Sequence, residues 1–500
     1  MYNVYPFSGE SLAFCLANQF TTVSEIKQKG HFTYLLTYLT DLGVNTIVVE
    51  DEYVSKDYLH DYTSYYSLCF EAYPKYCKRI HFFQSVFNTQ AFDSLVLGTT
   101  PIEPYQAAYI GFTVARPIPH AVIGFTALKT YGAPRTFWAV KNYPVNLFGL
   151  SFHVASLAFQ EQDSVVAACA TAAIWSMLHG AVQNGNHAIL LKSPSEITKN
   201  AGNSSDGHRL FPNTGLEVKQ ISESIFNAGL VCEIKSEDES VSVEFVKKIV
   251  NAYSGIGIPI ILVVNLSDQE THGLHAVTVC GFHKEPPKAV EVDTEMSFMS
   301  DNITKLYAHD DQWGPFARIE FTDEGIITPW NEQELSACEV QFDSIIVAVY
   351  PKIRISYEDI DKLVRAYDFI LSILFNAYLE LDLVWDIRLV MNTDYRKMVQ
   401  DLDPGLYPQK LQLLTESRPK YIWIASCYVA DEKILDITFD ATGVSQAMLA
   451  LNAISYMEDS LNTELVDFLR SNKTHDVLTA FHGPSSEKYY DFLVNAIAQD

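Results

Sequence analysis

The stretch Gln160-Glu161-Gln162-Asp163-Ser164-Val165-Val166-Ala167-Ala168-Cys169-Ala170-Thr171-Ala172-Ala173-Ile174-Trp175 decides how the rest of this chain is read. Its apolar run predicts a helix from about Ala167 to His179, capped by Asp163 or Ser164 and ended by Gly180. Cys169 then falls in the first turn, where unpaired N–H groups and the positive end of the helix dipole stabilise a thiolate. Its neighbours Ala167, Ala168, Ala170, Ala172 and Ala173 are small enough to let another chain approach the sulfur. They would equally let two elements pack closely, and a cysteine among alanines on a buried helix is ordinarily an inert small hydrophobe.

The partners a reactive thiol needs are present further along. A general base is supplied by His275, which opens the apolar segment Gly273-Leu274-His275-Ala276-Val277-Thr278-Val279-Cys280-Gly281, expected as a strand with the imidazole at the sheet rim. His272 is expected in the preceding loop and His283 past the strand. His179 lies ten residues beyond Cys169 on one helix, too far at ~1.5 Å per residue to reach the sulfur. An orienting carboxylate for the base is offered by Leu306-Tyr307-Ala308-His309-Asp310-Asp311-Gln312-Trp313-Gly314-Pro315, a strand running into a tight turn. Strand alternation would send Asp310 and Asp311 to opposite faces, so that only one serves. The bland reading is that they cap the turn. Gln162, seven residues before Cys169, could join the Cys169 N–H as oxyanion donor, with Gln160 as the alternative. His309-Asp310-Asp311 lacks further ligands at metal spacing, so neither a metal nor a cofactor is expected.

The order Gln162, Cys169, His275-Ala276-Val277 with Gly281, and Asp311-Gln312-Trp313-Gly314 resembles papain-like cysteine peptidases, nearest to the bacterial bacteriocin-leader-processing branch. The resemblance covers about residues 150 to 330. It implies an α+β core in which a cysteine-bearing helix packs on an antiparallel sheet carrying His and Asp. It assigns the oxyanion donor to Gln162, the nucleophile to Cys169, the base to His275 and the orienting carboxylate to Asp310 or Asp311, with Asp311 slightly preferred because Asp311-Gln312-Trp313-Gly314 resembles the family's Asn-Ser-Trp-Gly. The function implied is a thiol protease acting on a peptide or protein. The alternatives are isopeptide or side-chain amide cleavage by the same triad, or a catalytically silent binding or scaffold protein. The Gly-Ser-Cys-Trp context of the plant and lysosomal members is absent, since Ala170 follows the cysteine. The Gln-to-Cys spacing is one residue longer than the usual six.

The remaining sequence bounds these readings. Five hundred residues predict two to four domains at roughly 100–200 residues each. The expected division is a mixed α/β region over 1–149, a peptidase core over 150–350, and an α+β region over 351–500 whose long helix runs to about Leu379. In the first region, Gly43 to Glu50 reads as a strand and Asp57 to Phe70 as an amphipathic helix. Hydrophobic residues make up 48% of the chain, which permits a large core. Against 35 Lys and Arg stand 61 Asp and Glu, a net charge of −26 that repels phosphate backbones and anionic bilayers. Nucleic acid and membrane partners are therefore not expected, while a protein partner could dock on the outer regions. Eight scattered cysteines without a CxxC pair, and no signal peptide or ~20-residue apolar span, lead to the expectation of a reducing, cytoplasmic setting.

Overall fold

The computed structural model describes residues 2–132, 134–163, 165, 168–182, 189–202, 215–236, 240–267, 272–286, 296–323, 325–331, 338–379, 381–403, 410–444, 448–471 and 486–498. The fold is α+β with antiparallel sheets, and strands are numbered along the chain. Two compact units result: Met1–Val241 with Gly257–His283 and Lys305–Val349, and Ser242–Ile256 with Lys284–Thr304 and Tyr350–Asp500. One break between the units falls at Val349/Tyr350, and none falls near 150. The expected core also gives up two segments to the second unit.

In the first unit, β1 (Tyr2–Pro6), β2 (Thr46–Tyr53), β3 (Cys77–Phe83), β4 (Tyr109–Ala115) and β5 (Ile123–Leu128) form an antiparallel sheet in that order. Every residue of β4 is buried, as a continuous β-branched and aromatic run between two packed faces requires. The second sheet holds β6 (Arg135–Phe137), β9 (Val231–Lys235), β10 (Ile260–Ser267), β11 (His272–Lys284), β13 (Ile303–Asp310), β14 (Gly314–Thr322), β15 (Gly325–Ile327) and β16 (Glu339–Val349). Its order is β15-β14-β13-β11-β10-β16-β9, with β6 paired to the end of β11. The hairpin of β7 (Lys141–Leu147) and β8 (Leu150–Ser156) alternates exposed and buried residues, one face to solvent and one to protein.

One apolar core explains why 1–149 is not separate. Leu12, Phe32, Leu35, Leu39, Ile47 and Ile80 pack in the same cluster as Leu157, Cys280 and Phe316. Burying these side chains singly stabilises by roughly 1.5–3 kcal/mol each, so dividing the cluster at 150 would expose a face on both halves. The second unit carries β12 (Ser297–Phe298), β17 (Leu383–Met391), β18 (Tyr421–Val429), β19 (Glu432–Asp440) and β20 (Ala450–Ser455) in one sheet, with the Tyr357–Leu379 helix where the sequence places it. Among the described residues no helix is long and apolar enough to cross a membrane.

Local departures have local causes. The helix expected over Asp57–Phe70 spans only Lys56–Ser64, because Tyr65 leaves helical geometry at φ −140° and a 3₁₀ turn follows. The cysteine helix is Cys169–Ala181, and Gly180 lies inside it instead of ending it. A Cβ at Gly180 would sit 2.4 Å from Cδ of Pro259, just before β10. The glycine is there for close approach, the helix backbone resting on a proline ring that cannot swing away. Gly180→Ala is expected to destabilise by about 1–3 kcal/mol through overpacking, measured as a lower midpoint in urea with an unchanged slope.

Candidate active site

The site is built from the cysteine helix outward. Its N-cap is Ala168, which offers no side-chain bond to the first turn. Asp163 caps the preceding turn, accepting from the Val165 N–H at 2.9 Å and from the Tyr66 hydroxyl. Ser164 lies outside the described residues. Cys169 is thus the first helical residue and half-buried, and its own N–H has no helical carbonyl to bond. The Thr278 hydroxyl on β11 donates to the Ala173 carbonyl at 3.0 Å and holds the helix on the sheet. Further along, His179 is sealed among Trp175, Phe125 and Tyr143, and burial drives its pKa well below the ordinary histidine value.

His275 is the fourth residue of β11, opposite Val264 of β10, and not its first. His283 also lies within β11, so the strand is longer at both ends than expected. The ring is 3% exposed. Nε2 is 3.0 Å from Asp310 Oδ1, and the Cys169 thiol is hydrogen-bonded to the same imidazole. Burial opposes a charge here, but the Asp310 carboxylate, its hydrogen bond and the thiol contact outweigh it. The imidazole is held well above its ordinary pKa.

The two adjacent carboxylates behave differently, and the preference for Asp311 is corrected by the hydrogen bonds. Asp310 holds His275; Asp311 Oδ1 stands 3.7 Å from Nε2 and does not bond to it. Asp310 Oδ1 also accepts from the Gln312 N–H at 3.0 Å, and Oδ2 accepts from Trp330 Nε1 at 2.8 Å. One carboxylate therefore both orients the imidazole and caps the turn. Burial pushes Asp310 up, but the His275 charge and these donors hold its pKa below the ordinary carboxylate value. Strand alternation fails between the two because β13 ends at Asp310, with a register shift after Ala308. The bulge and turn bring Asp311 back toward the same ring. Neither Asp311 oxygen has a hydrogen-bond partner in another described residue. Burial raises its pKa to about 7, His275 opposing and Asp310 adding to the rise. His309, between the strand and the bulge, points elsewhere: its ring bonds the Leu157 carbonyl and the Phe316 N–H.

Of the two glutamines, Gln162 is half-buried, whereas Gln160 is 3% exposed and its amide nitrogen has no acceptor among the described residues. An unpartnered buried donor is what an oxyanion would satisfy, and this favours Gln160 over Gln162.

Several residues at the site were not found by sequence reasoning. Trp330 covers the His275 ring edge-on at 5.4 Å besides bonding Asp310. It is placed by a turn in which Asn331 Oδ1 accepts from the Thr328 N–H at 2.7 Å. The Gly30–Asp41 helix clamps the carboxylate turn. His31 Nε2 lies 2.7 Å from the Asp311 carbonyl, the Tyr34 hydroxyl donates to the Pro315 carbonyl at 2.8 Å, and a Cβ at Gly314 would collide with the Tyr34 ring at 2.2 Å. Glu161, buried between the glutamines, pairs with Lys29 at 3.1 Å. Only the motif Thr328-Pro329-Trp330-Asn331, an aromatic in a turn, carries a readable signal. The clamp has none, since it depends on packing of the first region.

His275, Asp310 and Asp311 also offer three ligand atoms within 4.8 Å of one another, the one such group among the described residues. A cation there would compete with Asp310 for Nε2. No known protein-family profile matches the chain, and no curated protein matches it significantly.

The Asp311 carboxyl generates a pH signature. Its folded pKa is raised above the unfolded one, so its favourable contribution is complete below about pH 4 and is lost as pH rises through about 7. Asp311→Asn removes that pH-dependent loss. The variant's melting temperature relative to wild type is expected to be higher at pH 8 than at pH 4.5, by about 2–5 °C, read by scanning calorimetry at both values.

Proposed function

We propose that this chain is a cysteine-dependent amide hydrolase with a papain-like core, using Cys169, His275 and Asp310 as its triad. One observation carries the reading: the His275 ring joins the thiol at a helix N-terminus to a buried carboxylate, each through a hydrogen bond. That is the arrangement a nucleophile, its base and the base's orienter require. The half-buried sulfur is the part of the chain that meets substrate. The thiolate attacks the carbonyl carbon, and the oxyanion is met by the Cys169 N–H with the amide of Gln160 or Gln162. The His275 imidazolium gives its proton to the leaving amine. The imidazole then takes a proton from water as it attacks the acyl-thioester, restoring acid and thiolate. Peptide bonds are the first substrate class; isopeptide and side-chain amides would use the same steps with a different cleft and acceptor.

Cys169→Ala is expected to abolish turnover of a peptide and isopeptide panel, and in wild type iodoacetamide at pH 6 is expected to alkylate Cys169 ahead of the partly exposed Cys69, Cys232 and Cys338, read by peptide mapping. Asp310→Ala is expected to lower kcat by about 10²–10⁴-fold, while Asp311→Asn stays within about tenfold of wild type. Retained turnover in Cys169→Ala, or equal losses in the two aspartate variants, would overturn the assignment. A second reading follows from the three clustered ligand atoms: His275, Asp310 and Asp311 holding a divalent cation. It expects metal to co-purify stoichiometrically and chelation to abolish activity. The thiol reading expects turnover indifferent to chelator.

A further inference from the structure

The first unit contains a cleft of about 750 Å³ that the proposed chemistry does not use. One wall is the N-terminal turn of the Gly30–Asp41 helix; the others are Tyr131, Arg135, Tyr307 and the start of β14. Its charge runs against that of the molecule. In a chain of net charge −26, none of the lining residues is an Asp or Glu, and three are Lys29, Arg135 and Arg318.

Arg135 is the most telling of the three. Its guanidinium lies 4.6 Å from the centre of the Tyr131 ring and 4.8 Å from that of Tyr307, and it is hydrogen-bonded to the Tyr131 side chain; a guanidinium carries five N–H donors, more than these contacts use. Among the described residues it has no ion-pair partner. Lys29 and Arg318 are each shared with a carboxylate, Glu161 at 3.1 Å and Glu320 at 3.4 Å. Asp41, beside the cleft's aromatic side, accepts from the Tyr131 hydroxyl at 3.2 Å. The helix end adds to the positive field. It has no side-chain cap and no acidic residue in its first turn, although Phe32 N–H already bonds the Lys29 carbonyl and Glu161 lies 3.6 Å from the His31 ring. Trp313 and Tyr34 supply flat apolar wall beside these donors.

We propose that this cleft binds a small molecule joining a planar ring to an oxyanion, phosphate or carboxylate. The ring stacks on the aromatic wall and the anion bonds Arg135 at the helix end. The inference is independent of the thiol chemistry and would survive its failure.

The test is equilibrium binding to the full chain, followed by calorimetry and by tryptophan fluorescence. Four probes separate the components: adenosine 5′-monophosphate for ring plus phosphate, 4-hydroxybenzoate for ring plus carboxylate, adenosine for ring alone, and inorganic phosphate for anion alone. At least one combined probe is expected to saturate one site per chain. It should bind about tenfold or more tightly than either single-component probe. Arg135→Ala is expected to weaken that binding by about tenfold or more, with Arg135→Lys between it and wild type. Exposed Arg318→Ala gives a second, milder reduction if Arg135→Ala does not fold. Which combined probe binds better distinguishes phosphate from carboxylate. The proposal is overturned if neither combined probe binds at millimolar concentration. Adenosine or phosphate alone matching the combined probes overturns it as well, as does unaltered binding in a folded Arg135→Ala.

Discussion

A buried charge pair organises the site. His275 and Asp310 lie out of water, each 4% exposed or less, and taking two such charges from solvent costs several kcal/mol per ion unless the geometry and further hydrogen bonds compensate. The compensation is visible atom by atom. Asp310 accepts from the imidazole, from the Gln312 N–H and from the Trp330 indole, and the imidazole is also hydrogen-bonded to the Cys169 thiol. Because every partner comes from a different segment, the pair fixes the cysteine helix, strand β11, the β13–β14 turn and the 328–331 turn relative to one another. Asp311 shows the opposite case. It is equally buried, has no hydrogen-bond partner in another described residue, and its carboxyl is pushed toward the neutral form.

Holding that pair together is the work of residues distant in sequence. The Gly30–Asp41 helix grips the Asp310–Pro315 turn through His31 and Tyr34, and Gly314 admits the Tyr34 ring where any side chain would collide. The same helix presents its uncapped end to the cationic cleft, so one element braces one site and helps to line another. This double use follows from the shared core. Phe32, Leu35 and Leu39 on that helix pack with Cys280 and Phe316 of the second sheet.

The regular elements are legible because local pattern governs them. The long helix read from the start of the third region to about Leu379 is observed as Tyr357–Leu379. Positions where two signals compete are less legible. Gly180 reads as a helix stop by its backbone freedom, yet its missing Cβ is used for contact with Pro259, a residue 79 positions away that no local window contains. The division at 150 misleads for the same reason, since a change in composition does not reveal that two regions bury their apolar faces against each other.

Residue chemistry and order alone determined which groups could take part: a cysteine opening a small-residue helix, a histidine in an apolar strand, two carboxylates at a turn and two glutamines upstream. Tertiary structure decided which of them touch and how deeply each is buried. A bulge after Ala308 overrode strand alternation and gave the hydrogen bond to Asp310, and burial distinguished Gln160 from Gln162. Trp330 and the Gly30–Asp41 helix entered only when the chain folded back on itself. A sequence records the identity of each donor and acceptor, but a hydrogen bond depends on ångström-scale position, and that is set by packing between segments hundreds of residues apart.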